Sequence, residues 1–320
     1  MKLNVFGLVS IDTINFQDGI SYIGGGALAT AWLASLWKVP TVLYSLTCNQ
    51  ECQQRIQDNI LFNNNCFGHT TFSTNKEMVR FYISESEQDY SYAIRNFDTA
   101  KEELKLFLEM TSKEQYIKLL ASHLVDCASL ITDASYNPQG RYDLFELTKK
   151  ITTSGFVFLN RNELLNGMKL DFQCALKAIE RTKQSYVITL GINGAICYYA
   201  VESKWYCCPI IKSEKLSNTL GCGDAFAGGF LAAYTKYSSI TQGMIIGTVS
   251  AYLATYSPSN MITVWLPTIS ESDIITKLLY SVKVFETSDG VIQYMKSDKF
   301  KSVKWDLESY FSEDFDWKID

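Results

Sequence analysis

The sequence predicts an α/β protein with a mostly parallel central sheet and a smaller accessory sheet. Three observations carry that reading. Short apolar, strand-like stretches alternate with helical ones, two glycine-rich turns introduce helices of small residues, and one paired stretch has the pattern of a hairpin with one wet face. The 320 residues, 47% hydrophobic and 20% charged, suffice for a large core and exclude wholesale disorder. A net charge of −5 with no basic run leaves no electrostatic footprint for nucleic acid or an anionic membrane.

Leu3–Ile11 is expected as the opening strand, nearly all apolar as befits a strand covered on both faces. Gly24, Gly25 and Gly26 then introduce a helix over Ala27–Trp37, which Pro40 stops before a second strand at Thr41–Leu46. Met78–Ile83 and Tyr90–Ile94 read as the hairpin, and Lys- and Glu-rich helical text runs on to about Ala121. Strands at Ser129–Thr132, Phe156–Leu159 and Tyr186–Leu190 alternate with helices at Tyr142–Lys150 and Phe172–Arg181, which implies right-handed βαβ units. Ala225–Tyr234 and Gln242–Thr255 are apolar helices. Tyr237–Ser270 lacks charges, yet Pro258, Pro267 and its Ser and Thr residues favour a buried helix over a membrane span. From Glu286 onward the chain turns polar and aromatic and reads as an appendage.

Nine scattered cysteines form no CxxC pair, and His69 and His123 alone could supplement them as metal ligands. Reduced thiols packed as small hydrophobes in a cytoplasmic protein are the expectation. Asp12 interrupts the first apolar stretch, which argues against a signal peptide.

The most informative stretch is Asn218-Thr219-Leu220-Gly221-Cys222-Gly223-Asp224, followed by small residues that include Gly228 and Gly229. Two glycines one residue apart at a helix start let consecutive N–H groups face one point, a geometry that stabilises a phosphate oxygen. Asp224 beside it can take a proton from an attacking hydroxyl. A plain tight turn with Asp224 in the first helical turn explains the spacing as well. A methyltransferase GxG turn would need an apolar strand before it and a third glycine where Asp224 stands.

This segment resembles the second signature of the phosphofructokinase-B/ribokinase family of carbohydrate and nucleoside kinases, DTxGAGD, with Asn218 for Asp and Cys222 for Ala. The resemblance implies a ribokinase-like three-layer sandwich over residues 1–285. It implies a small β lid from strands at about 13–24 and 76–97, and leaves 286–320 as an extension of unknown role. It makes Asp224 the catalytic base and Gly221, Cys222 and Gly223 the anion hole. Asn160-Arg161-Asn162-Glu163 matches the family's NxxE motif, so Asn160 and Glu163 are expected near the phosphates of ATP, with Glu163 ordering Mg²⁺ through water. A helix start with a capping box explains the same four residues. Thr189-Leu190-Gly191-Ile192-Asn193-Gly194 resembles a turn beside the nucleotide, which adds Thr189, Gly191, Gly194 and Asn218 to the nucleotide side. Asp12, Gly25, Gly26 and Thr30 are the implied substrate residues.

Departures from the pattern accompany the match. Thr30 replaces the usual Asn, Thr41–Gln50 lacks the VGxDxxG segment, and one βα unit is missing between Asp133 and Asn160. Asn218 stands for an aspartate that helps bind a monovalent cation in some members, so potassium activation does not carry over. The expected activity is ATP-dependent phosphorylation of a hydroxyl on a sugar or sugar derivative. The alternatives are a nucleoside acceptor, pseudouridine included, or a non-catalytic small-molecule-binding relative. The lid, with Arg80 and Arg95, is expected to exclude water and to support a homodimer. Neither nucleic acid nor membrane is an expected partner. Cys222, at a helix N-terminus, is expected to have a lowered thiol pKa.

Overall fold

The computed structural model describes residues 3–6, 9–14, 20–47, 66–73, 79–85, 90–95, 119–120, 156–212, 219–256, 270–297 and 300. The helical text after residue 97 lies outside them except for Leu119–Leu120, which form a strand and not a helix; the strand at 129–132, the helix at 142–150, Asn218 and the tail from 301 also lie outside.

The apolar opening is two strands in two different sheets. β1 (Leu3–Phe6) pairs in parallel with β4 (Thr41–Thr47), which pairs in parallel with β5 (Phe67–Ser73). β2 (Ser10–Ile14) instead lies between β3 (Ile20–Gly24) and β6 (Val79–Glu85), and β7 (Tyr90–Arg95) completes a four-stranded sheet in the order β3-β2-β6-β7. Continuous apolar text does not reveal a change of sheet, so the expected single strand at Leu3–Ile11 is corrected here. Asp12 thereby moves from the end of a core strand to the middle of the accessory sheet, opposite Tyr22 and Phe81.

The larger sheet runs β13 (Lys283–Phe285), β12 (Lys204–Cys208), β11 (Ala195–Tyr199), β10 (Ser185–Thr189), β9 (Phe156–Asn160), β8 (Leu119–Leu120). Its β8–β9–β10 side is parallel and its β10–β13 side antiparallel, so it is mixed. Side chains alternate between two cores, as a pleated strand requires. Phe156, Phe158, Val187, Cys197, Tyr206 and Cys208 face one core; Val157, Leu159, Tyr186, Ile188, Trp205 and Cys207 face the other.

Helices cover both faces and complete three layers. On one side are α1 (Gly26–Leu36), α4 (Cys222–Tyr237), α5 (Ile240–Ala254) and α6 (Glu271–Leu278); on the other are α2 (Arg161–Met168), α3 (Phe172–Ile179) and α7 (Ser288–Lys296). α7 belongs to this body: Val291 is fully buried in the second core, and Glu180 caps the helix by accepting the Ser288 N–H. The chain from 286 to 297 is therefore not an appendage, contrary to the compositional boundary. Among the described residues no helix is long and apolar enough to cross a membrane.

Two adjacent glycines set the position of α4. A Cβ on Gly228 would lie 2.6 Å from the Thr30 carbonyl oxygen of α1, and one on Gly229 would lie 2.1 Å from Ser250 Oγ of α5. Each glycine thus lets α4 approach a different neighbour at backbone distance.

Candidate active site

Gly221 ends the turn before α4 with φ 78°, a left-handed conformation that costs glycine little. It offers no side chain to cap the helix. First-turn N–H groups have no intrahelical acceptor, so this end of α4 is the positive end of its dipole. Cys222 turns its N–H back to the Thr219 carbonyl at 3.3 Å. Gly223 is exposed, and a Cβ built there would meet nothing within 4 Å, so the backbone at that position borders open space.

Asp224, in the same turn, is half-buried and lies against the bare Cα of Gly26. A Cβ on Gly26 would stand 2.6 Å from its Oδ1 and 3.3 Å from its Oδ2. Gly26 is the first residue of α1, whose cap Gly25 has φ 105° and no side-chain hydrogen bond. The contacts Gly26–Asp224 and Thr30–Gly228 advance together along both helices, so α1 and α4 run in the same direction. Their positive ends therefore meet at one carboxyl group.

Asp12 supplies a second negative charge. It is 4% exposed on β2 and accepts a hydrogen bond from the fully buried Ser10 Oγ at 2.6 Å. Loss of water around Asp224, followed by the negative charge of Asp12, pushes the Asp224 carboxyl up to about 7. A carboxylate poised near neutrality is suited to general base work at physiological pH. Ser10 was absent from the sequence-derived site; its position two residues from Asp12, on the same face of a strand, is the signal that could have found it.

Cys222 departs from its expected electrostatics. Burial, then the Asp224 charge, pushes its thiol up to about 12. Thr30 also differs from expectation in its placement. It is fully buried, and its Oγ1 donates to the Asp224 carbonyl at 3.2 Å.

A second group occupies the end of β9. Asn160 caps α2: its Oδ1 accepts the Glu163 N–H at 2.8 Å, and Glu163 Oε2 accepts the Asn160 N–H at 2.7 Å. The capping box is thus present, with Glu163 half-buried at the C-terminal edge of the sheet. Thr189 is the ladder partner of Asn160 on β10, so both stand on that edge. Gly191 (φ 59°) and Gly194 (φ 80°) shape the turn into β11. Gly194 has a structural reason of its own, since a Cβ there would lie 2.2 Å from the Cys208 carbonyl oxygen. Among the described residues no group of three or more His, Cys, Asp or Glu could hold a metal ion. The oxygen-only donors at this edge fit an ion of the Mg²⁺ type, which takes one or two carboxylates and completes its shell with water and phosphate.

Residues 143–265 match the family described as pfkB family carbohydrate kinase. The fold is ribokinase-like. The chain is similar to the probable sugar kinase of Rhizobium etli, with TM-score 0.62 at 17% identity, covering 86% of this chain and 97% of that one. The ribokinase of Cryptococcus neoformans, solved in complex with ADP, gives TM-score 0.61 at 14% identity, over 87% and 99% of the two chains. At these identities the likeness is one of ribokinase-like architecture. A curated nucleoside kinase of Methanocaldococcus jannaschii is 26% identical over 114 residues, 35% of this chain and 36% of that protein. The alignment therefore spans about a third of that relative's length.

Proposed function

We propose that the protein is an ATP-dependent kinase that transfers the γ-phosphoryl group to a hydroxyl of a sugar or sugar derivative. One observation carries this reading: the side-chain-free N-termini of α1 and α4 converge on Asp224, a carboxyl group held near neutrality beside Asp12. Phosphoryl transfer asks the protein for alignment, charge stabilisation and a base, and little else. Asp224 takes the proton of the acceptor hydroxyl as its oxygen bonds to phosphorus and the bond to ADP breaks. The backbone of Gly221, Cys222 and Gly223 faces the developing negative charge, with Gly223 the most open of the three.

Asp12, Gly25 and Gly26 hold the acceptor; the Ser10 hydroxyl fixes the orientation of the Asp12 carboxylate. Asn160 and Glu163 serve the phosphate side, with Thr189, Gly191 and Gly194 forming the neighbouring edge; Asn218 completes this set in the sequence pattern. Bound Mg²⁺ would neutralise phosphate charge, and Glu163 is the residue that would order its water shell. The four-stranded sheet is the lid that excludes water from the reacting groups. Among the described residues β3 and β7 are its outer strands, which supports a homodimer through the lid; light scattering on the purified protein checks this.

A nucleoside is the second acceptor class, favoured by the name of the curated relative. The test is a coupled ADP-release assay with MgATP and ribose, fructose, adenosine or inosine. Turnover of one of them, lowered about a thousandfold in Asp224→Asn with ATP binding retained, supports the reading. A variant as active as the unmodified protein would refute the base assignment.

A further inference from the structure

We propose that Thr30 is a positioning residue for Asp224: its hydroxyl, donated across the α1–α4 seam to the Asp224 carbonyl, holds the first turn of α4 in register with the N-terminus of α1. Thr30 is fully buried in the described structure. The hydrogen bond is unusual for its residue type. A helical threonine commonly returns its hydroxyl to a carbonyl three or four residues earlier on its own helix. Here Oγ1 reaches instead to a residue 194 positions away, at 3.2 Å.

The bond lies between two close-approach points. On one side the Asp224 carboxyl rests on the Gly26 Cα; on the other, Gly228 rests on the Thr30 carbonyl, where a Cβ would come within 2.6 Å. Gly26 and Thr30 are four residues apart on α1, as Asp224 and Gly228 are on α4, so each pair shares one helix face. Backbone-to-backbone packing of this kind is smooth. It offers few protruding side chains to stop one helix sliding or rotating against the other. The Thr30–Asp224 bond is directional, and it attaches to the very residue whose carboxyl must point at the acceptor. A shift of a fraction of an ångström there changes alignment with the reacting hydroxyl, and alignment is a steep term in rate.

The proposal uses the kinase reading above for its activity readout alone. Thr30→Val keeps the shape and removes the donor; Thr30→Ser keeps the donor and removes a methyl. Three measurements apply to all versions of the full chain: kcat and KM for MgATP with whichever of ribose, fructose, adenosine and inosine is turned over fastest, the pH–rate profile, and hydrogen exchange of the α4 first turn. Thr30→Val is expected to lower kcat about tenfold, with KM for MgATP within about twofold, a displaced acid limb and faster exchange at Cys222–Gly228. Thr30→Ser is expected to recover most of each.

A Thr30→Val protein with the kcat, pH profile and exchange of the unmodified chain overturns the proposal. So does a Thr30→Ser protein as impaired as Thr30→Val, since the methyl would then be the part that matters. If the unmodified protein phosphorylates none of the four acceptors, the kinase reading fails and exchange decides this one separately. Faster exchange in Thr30→Val than in Thr30→Ser upholds it, and equal exchange refutes it.

Discussion

Two helix N-termini at the proposed site, those of α2 and α4, are built in opposite ways. α2 is closed by its own side chains: Asn160 and Glu163 satisfy one another's backbone N–H groups within the first turn. α4 begins at Gly221 with no side-chain cap, and α1 begins at Gly25 in the same manner. Every other described α-helix has a capping side chain: Asp171 on α3, Ser239 on α5, Ser270 on α6 and Thr287 on α7. A capping residue typically contributes about 1 kcal/mol, so leaving two helix ends bare forgoes stability. Those two ends meet at Asp224. The difference separates a helix end that is finished as structure from two that are left for a ligand to finish.

The largest test of that contrast is Gly26→Ala. Alanine suits a helix start, yet its Cβ would stand 2.6 Å from Asp224 Oδ1 and push the carboxyl out of the seam. Turnover should fall about a hundredfold, with a far smaller change in thermal midpoint. A melt that collapses together with activity would show that Gly26 serves packing. Next in size is Glu163→Gln, which keeps an oxygen acceptor for the Asn160 N–H and removes the charge. If the carboxylate orders the metal, kcat should drop about tenfold and the Mg²⁺ requirement should rise, while the melting curve stays in place. Unaltered kinetics would reduce this motif to its capping box.

The third test concerns the charge pair. With Asp224 pushed up to about 7, activity should rise with pH and level off above that value. Asp12→Asn removes the like charge, the second of the two causes, so the acid limb should move down by about one pH unit while KM for the acceptor rises. The linkage to stability has a definite sign. The folded carboxyl binds its proton more tightly than the ordinary value of 3.8, so its contribution is fully present below about pH 4 and is lost as pH rises through about 7. At pH 8 Asp224→Asn should therefore melt roughly 2 °C above the unmodified protein, and at pH 4 the gap should close.

Much of this was legible in the residues, and the exceptions share a cause. The GCGD turn, the NxxE corner and the strand–helix alternation depend on local spacing, which sequence records directly. The split of Leu3–Ile11 between two sheets depends on partners far along the chain, and apolar text is the same in either sheet. α7 looked like the start of an appendage because its surface is polar, while the residues that anchor it, Val291 and Ser288, are few. Cys222 was misjudged because a helix end is visible in sequence and the depth of burial is not. The bond from Thr30 to Asp224 spans 194 residues, so no local motif discloses it.

The smallest effect isolates the structural half of the comparison. Asn160→Ala removes the Oδ1 that accepts the Glu163 N–H, while the backbone N–H at position 160 can still donate to Glu163 Oε2. Loss of such a cap should cost about 1 kcal/mol in denaturant unfolding. Asn160→Asp should retain most of that stability, because aspartate caps as well as asparagine, while placing a second negative charge beside Glu163. Because Asn160 also serves the proposed phosphate side, Asn160→Ala should lose stability and lower kcat together. Asn160→Asp should keep the stability and lower kcat alone, through the added charge. Equal effects of the two substitutions on both quantities would mean that cap and charge are not separable at this corner, and the contrast between α2 and α4 would lose its basis.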